Sequence, residues 1–275
     1  MKVTLELAGV VWEVDLSSPS ELAVPLDFYG EQPRAFGLPR ARAKAAEGGD
    51  FIGDRRRGGS ANCEVLELIP HGNGTHTEGV GHITKERISV GDIALKPLIP
   101  AVVLTVSARR FGDSEESYEG RNESGDWVLA AGDLIRAFEA SGAADEFLEA
   151  VVIRITRSAS FAGPLGDHSS TNPPYFTRES IQWLRRVGCE HLLVEVPSVD
   201  REDDGGTLTN HHLFFGVSRD QTPSGESRAR TITEMIEVPS SVEDGTFALA
   251  LHVPRFIMDA APSRPILYPL ESSEC

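Results

Sequence analysis

Cysteine is scarce in this chain. Its three cysteines, Cys63, Cys189 and Cys275, are too few and too scattered for a disulfide framework or a paired-cysteine zinc site. Free buried thiols in a reducing compartment are the simplest account. A catalytic role for Cys63 stays open, although no activating residue can be assigned to it. Long hydrophobic runs are missing too: no stretch reaches the ~18 apolar residues that a membrane span needs. The first residues, MKVTLELAGVVWEVDLSS, meet acidic side chains early and lack the uninterrupted apolar core of a signal peptide. Together these absences predict a cytoplasmic protein. Positive charge is also short, with 26 Lys and Arg against 42 Asp and Glu and a formal net charge of −16. Such a surface repels phosphate backbones and anionic membranes, which argues against nucleic acid or a membrane as partner. Solubility accounts for the acidity, and attraction of metal cations is the functional alternative.

What is present reads as a folded chain. Hydrophobic residues at 40% and charged residues at 25% are ordinary globular values, and 275 residues can bury a sizeable core. Residues 3–16 hold two alternating apolar runs around Ala8-Gly9, the pattern of a β-hairpin or bent strand. Residues 17–61, rich in Pro, Gly, Arg and Ala, show no period and read as a long irregular region that could supply a lid or binding loop. Within it, Arg55-Arg56-Arg57 reads as a solvated face, with an anion contact as the alternative. Residues 63–70 alternate like a strand that leads into a histidine-rich segment. Nearly continuous apolar runs at 99–108 and 150–156 fit strands buried on both faces. The spacing predicts a helix over 128–141. A second is predicted over 178–187, capped by Thr177 and stopped at Gly188. A strand over 191–196 follows, so this pair reads as half of a βαβ unit. Residues 201–210 and 218–230 read as polar loops, and 246–255 as a closing strand. With no repeat or linker, one β-rich α/β domain over 1–275 is the expectation.

The chemistry concentrates in two short segments. Five of the eight histidines fall in His71-Gly72-Asn73-Gly74-Thr75-His76-Thr77-Glu78-Gly79-Val80-Gly81-His82 and in His211-His212. The glycines let the backbone turn tightly and keep bulky side chains away. His76 and Glu78 are two apart, so an extended backbone puts both on one face. Neutral imidazole with carboxylate is a normal donor set for zinc or manganese.

These residues resemble the cyclase or kynurenine formamidase family of metal-dependent hydrolases, whose signature is His-x-Gly-Thr-His-x-Asp-x-Pro-x-His. Gly74-Thr75-His76 matches its Gly-Thr-His, Glu78 takes the Asp position and His82 the final His. Further matching pieces follow in order. Asp15-Leu16-Ser17 resembles the N-terminal Asp-Leu-Ser/Thr, and 176–187 followed by Val194-Glu195-Val196-Pro197-Ser198-Val199-Asp200 resembles a helix, strand and Pro-Ser-Val-Asp turn. His211-His212 and Ile232-Thr233-Glu234 resemble the later His-His and Ile-Leu-Glu.

The resemblance implies a single domain of the swivelling β/β/α type, a site for one or two zinc or manganese ions, a small-molecule substrate and a homo-oligomer, dimer or tetramer. It assigns metal to His71, His76, Glu78, His211 and Glu234, and catalysis to His82. Three departures stand out. His71 lies one residue further from His76 than the family spacing, Glu replaces Asp at 78, and Gly79 and Gly81 occupy the region of the family's proline. The stretch from His211 to Glu234 is also longer than the family's.

The other candidates divide as follows. His212 reads as a packed neighbour, His191 and His252 as structural, and His168 as either a pocket or a surface residue. Glu237 competes with Glu234. Phe28, Tyr29, Phe36, Tyr175 and Phe176 could sandwich a flat substrate or belong to the core. The implied activity is opening of an amide, formamide, lactam or lactone, with His82 moving the proton. A dehydrating cyclase and a non-catalytic binding protein are the alternatives.

Overall fold

The computed structural model describes residues 1–7, 9–157, 161, 163–219 and 221–272. The N-terminal alternation forms a hairpin of β1 (Lys2–Leu7) and β2 (Val10–Asp15). The strands that join it are β3 (Ser20–Glu21), β4 (His76–Glu78), β5 (Ile99–Val106), β6 (Ala150–Ile155), β7 (His191–Val194), β8 (Thr231–Glu234), β9 (Gly245–His252), β10 (Ala260–Pro262) and β11 (Arg264–Ser272). Among the described residues they make one mixed sheet in the order β1-β2-β11-β9-β5-β6-β7-β8-β4-β10, with β3 added to β11. The run β5-β6-β7-β8 is parallel. The remaining neighbours, including β4 between β8 and β10, are antiparallel.

The parallel strands are apolar throughout because both of their faces are covered. Val102, Leu104, Val151, Ile153, Leu192 and Ile232 point to one side. Ile99, Ala101, Val103, Val152, Leu193 and Leu249 point to the other. The first side carries α1 (Ala131–Ser141) and α2 (Arg178–Arg186), whose Leu134, Ile181, Trp183 and Leu184 pack into it together with Phe214 and Phe215 of α3 (Thr209–Phe215). Thr177 caps α2 as its sequence predicts, accepting from Ser180 N–H at 3.2 Å. β6, α2 and β7 form the expected βαβ unit.

Several expectations need correction. The strand expected over 63–70 is shorter, Glu64–Glu67; it is exposed along its length and pairs with Arg42–Ala45 in a separate ribbon. The helix expected over 128–141 begins at Ala131, after a short strand at Trp127–Leu129. The end of the 201–210 loop is the start of α3, and 218–230 contains α4 (Gly225–Ala229). Cys189 is buried, and burial pushes its thiol up to about 12, but Cys63 is exposed. Cys275 lies outside the described residues. Arg55, Arg56 and Arg57 form an exposed turn, with Arg56 against Asp54 and Arg57 against Glu47. Among the described residues, no helix is long and apolar enough to cross a membrane.

His191 starts β7 and is 5% exposed, with Nδ1 2.9 Å from the Thr231 hydroxyl. Burial, aided by the Lys96 charge, lowers its pKa to about 4 from an ordinary 6.5. The folded state therefore favours the neutral ring, while the unfolded chain takes up a proton as pH falls through 6.5. The resulting stability is complete above that value and is lost as pH falls towards 4, at about 1.4 kcal/mol per pH unit. Urea unfolding of wild type and His191→Gln at pH 7 and pH 5 should show the larger loss in wild type. Equal losses would refute the assignment.

Candidate metal centre

The site is built on β4. Its pleat sends His76 and Glu78 to one face, and the antiparallel register places Glu234 of β8 opposite His76. Thr77, on the other face, donates to Ser263 Oγ at 2.8 Å and shares a 2.7 Å hydrogen bond with Thr233. The longer spacing to His71 is absorbed by the helical turn Pro70–Gly72 and by Gly74, whose φ of +124° is open to glycine. The His71 ring returns to 5.1 Å from that of His76, with Nδ1 3.2 Å from Glu78 Oε2. α3 brings His211 Nε2 to 3.1 Å from Glu78 Oε1 and 3.8 Å from Glu234 Oε1.

His82 comes from the turn Val80–Ile83 and lies over His71, ring centres 4.2 Å apart. Its Nε2 is 3.8 Å from Glu78 Oε2. A Cβ on Gly81 would lie 2.1 Å from the Ile88 carbonyl oxygen, so a larger residue cannot hold this turn in place. The chain thus gathers His71, His76, Glu78, His82, His211 and Glu234 into one cluster. Glu237 is not part of it and faces Arg157 at 3.7 Å.

Hydrogen bonds fix which ring atoms face inward. His76 Nδ1–H donates to the Gly74 carbonyl at 3.0 Å, which leaves Nε2 with a free lone pair 3.5 Å from Glu234 Oε2. His71 Nε2 meets Asp259 Oδ2 at 2.8 Å, and His211 Nδ1 meets Asp200 Oδ2 at 2.6 Å. One nitrogen of each ring is therefore anchored and the other turned towards Glu78 or Glu234, the arrangement that orients metal-binding histidines.

The electrostatics call for positive charge at the centre. Burial alone would raise the Glu78 carboxyl, but the rings of His82, His211 and His71 draw it well below the carboxylate range. Burial opposes charge on His71, yet its bond to Asp259 and the proximity of Glu78 push that ring up to about 10. Burial opposes the charge on His211 too, and Glu78 and Asp200 raise it well above the ordinary value. His76 and Glu78 are both 0% exposed, yet His76 Nε2 and both Glu78 oxygens make no hydrogen bond. The ring nitrogens of His211 and His71 face those oxygens at 3.1 and 3.2 Å as ion-pair partners. Buried polar atoms are rarely left without a hydrogen bond, and imidazole nitrogens with carboxylate oxygens around one point fit a divalent cation. Two trios, His71-His76-Glu78 and Glu78-His82-His211, each bring their ligand atoms within 4.8 Å of one another and share Glu78.

One side of the cluster is open. The side chains of His71, His82 and Asp259 are 22%, 23% and 36% exposed. A cavity of about 300 Å³ lined by Gly81, Ile88, Met258 and Asp259 adjoins this side. A wider groove of about 660 Å³ runs past His82 between Leu208, His212 and Arg219. None of the five aromatic residues singled out lines either space: Tyr175 and Phe176 are fully buried in the core, and the exposed Tyr29 bonds Glu64 through its hydroxyl. His168 is buried and stacks on Phe161, and His252 is exposed at the end of β9. His212 Nδ1–H donates to the Val217 carbonyl at 2.6 Å. The sequence reading passed over Asp259 and gave Asp200 no role. Their signals were weak: Asp259 directly precedes Ala260-Ala261-Pro262-Ser263-Arg264-Pro265, and Asp200 closes Pro-Ser-Val-Asp.

The fold and cluster agree with known proteins. The model of the Cyclase family, described as "Putative cyclase", matches residues 14–201, and the chain belongs to that family. Its fold is that of the cyclase-family metal-dependent hydrolases. A predicted metal-dependent hydrolase from Bacillus stearothermophilus is similar at TM-score 0.55 and 11% identity, over 91% of this chain and 98% of the other. Isatin hydrolase A from Labrenzia aggregata, bound to benzyl benzoate, is similar at TM-score 0.57 and 16% identity, over 92% and 94%. An isatin hydrolase bound to the product analogue thioisatinate gives TM-score 0.58 and 16% identity, over 92% and 93%. Among curated proteins, no sequence match is found.

The orphaned atoms predict that His76 is needed for metal uptake. Elemental analysis should find near-stoichiometric metal in wild type and little in His76→Ala. No metal in wild type after incubation with zinc and with manganese would refute the centre.

Proposed function

We propose that this chain is a hydrolase of one domain over 1–275 that opens an amide, formamide, lactam or lactone bond of a small aromatic substrate. His71, His76, Glu78, His211 and Glu234 hold one or two ions of zinc or manganese. The observation that carries the reading is the Glu78 carboxylate, buried without a hydrogen bond beside the part-exposed His82. The isatin hydrolases among the similar structures lend support to an aromatic cyclic amide. The acidic surface favours a small-molecule substrate over nucleic acid or a membrane. A cytoplasmic location and a homo-oligomer, dimer or tetramer, complete the proposal.

A bound divalent ion supplies Lewis acidity that polarises a carbonyl and makes water acidic near neutrality. The remaining chemistry falls to His82. Asp259 Oδ2 lies 3.4 Å from His82 Nδ1 and holds that nitrogen as the donor, which leaves Nε2 as the base. Nε2 takes a proton from the attacking water and returns it to the leaving nitrogen or oxygen. Asp259 can serve both His71 and His82 because the hydrogen bonds from the two rings keep its carboxyl ionised far below the usual range.

His82→Ala should retain its metal and lose at least ~100-fold in turnover of a responsive amide or lactone. Near-normal turnover would rule out His82 as the base. Product mass identifies the reaction: a gain of one water marks the hydrolase, and a loss of one water marks a dehydrating cyclase. A metal-loaded protein that turns over nothing in a broad panel would be a binding protein.

A further inference from the structure

We infer that Asp200 is a positioning residue that fixes the tautomer and direction of His211, and that Tyr118 in turn fixes Asp200. The inference rests on the metal-dependent reading above. α3 is short, and its preceding residue Leu208 is left-handed (φ 46°) and gives no side-chain cap. Asp200 replaces that cap from across the loop. Its Oδ1 accepts from Asn210 N–H at 2.9 Å, and its Oδ2 accepts from His211 N–H at 3.1 Å. The same Oδ2 accepts from the His211 ring at Nδ1. Backbone and ring of one residue are thus held by one carboxylate oxygen, and the ring cannot rotate without losing its bond to that oxygen.

The tautomer follows from the acceptor. An ionised carboxylate has no proton to give, so Nδ1 must carry a hydrogen, and in the neutral ring that a metal requires the lone pair then falls on Nε2. Nε2 is the atom that faces Glu78 and Glu234. Asp200 is buried and, among the described residues, has no Lys or Arg as a hydrogen-bond partner. Besides the α3 donors it receives the Tyr118 hydroxyl at 2.8 Å on Oδ1. Tyr118 is itself buried, 4.7 Å from the Tyr175 ring, and its oxygen accepts from Arg201 N–H at 3.2 Å. The adjacent residue serves the other late ligand, since Val199 N–H donates to Glu234 Oε1 at 3.0 Å. Residues 199 and 200 therefore hold one member each of the half of the centre that comes late in the chain. A cap alone would need only the two backbone contacts; the ring contact is the feature that points to a role in metal binding.

The test is cobalt binding by metal-free wild type, Asp200→Asn and Tyr118→Phe, followed by visible absorption and compared with the melting temperature of each metal-free protein. An asparagine amide can donate to Nδ1 and so permit the tautomer with hydrogen on Nε2. Asp200→Asn should therefore weaken cobalt binding by ~10- to 100-fold and alter the absorption spectrum. Tyr118→Phe, which keeps the carboxylate, should show a smaller loss in the same direction. Should Asp200→Asn fail to fold, Tyr118→Phe carries the test alone. Folded variants with the affinity and spectrum of wild type, whatever their melting temperatures, would reduce Asp200 to a helix cap and overturn the inference. Wild type that binds no cobalt would remove the metal reading itself, an outcome distinct from normal wild-type binding with unchanged variants.

Discussion

A carboxylate is buried without a hydrogen bond on the second strand from one edge of the sheet, and the rest of the site is arranged around it. An ionised group so placed, uncompensated, costs more than the ~10 kcal/mol that holds an ordinary domain folded. Glu78 is tolerable only because imidazoles approach it from separate parts of the chain. His71 arrives from the turn before β4, His82 from the turn after it, and His211 from a helix more than a hundred residues later. The same compensation can come from ring protons or from a cation that displaces them. Competition between the two is what makes such a cluster both stable when empty and receptive to metal.

The backbone around Glu78 has little freedom. β4 is three residues long and is paired on both edges, by β8 and by β10. Short strands at the rim of a sheet are usually its weakest part. Here the hydroxyl contacts of Thr77 behind the strand and the carboxylate contacts in front of it replace the apolar packing that holds β5 and β6.

Local pattern was legible where local physics decides the outcome. The two-residue spacing of His76 and Glu78 has a meaning in any extended chain, and the apolar runs at 99–108 and 150–156 fit strands covered on both faces. Thr177 before a helical period is likewise a local signal. What failed was long-range. The strand within 63–70 was legible, but not its exposed place in a separate ribbon, which its partner Arg42–Ala45 decides. The turn of chain at 201–210 looked polar throughout because the cap of α3 lies at Asp200, outside the segment that it starts. Asp259 could not be weighed because its worth depends on His71 and His82, far away in sequence. The ordered family pieces supplied the long-range pairing that periodicity lacks, including His211 with Glu234.

The exposure of the cluster is uneven, and this division has an evolutionary consequence. Its floor, His76, Glu78, His211 and Glu234, is set in regular secondary structure, where any shift disturbs many neighbours at once. Its rim is made of turns and loops: the 81–89 segment, residues 206–208 and residues 257–259. Substitutions there can reshape what enters without moving what reacts. A lineage with this layout can let its rim drift while its floor stays fixed, because the two parts are held by different kinds of structure.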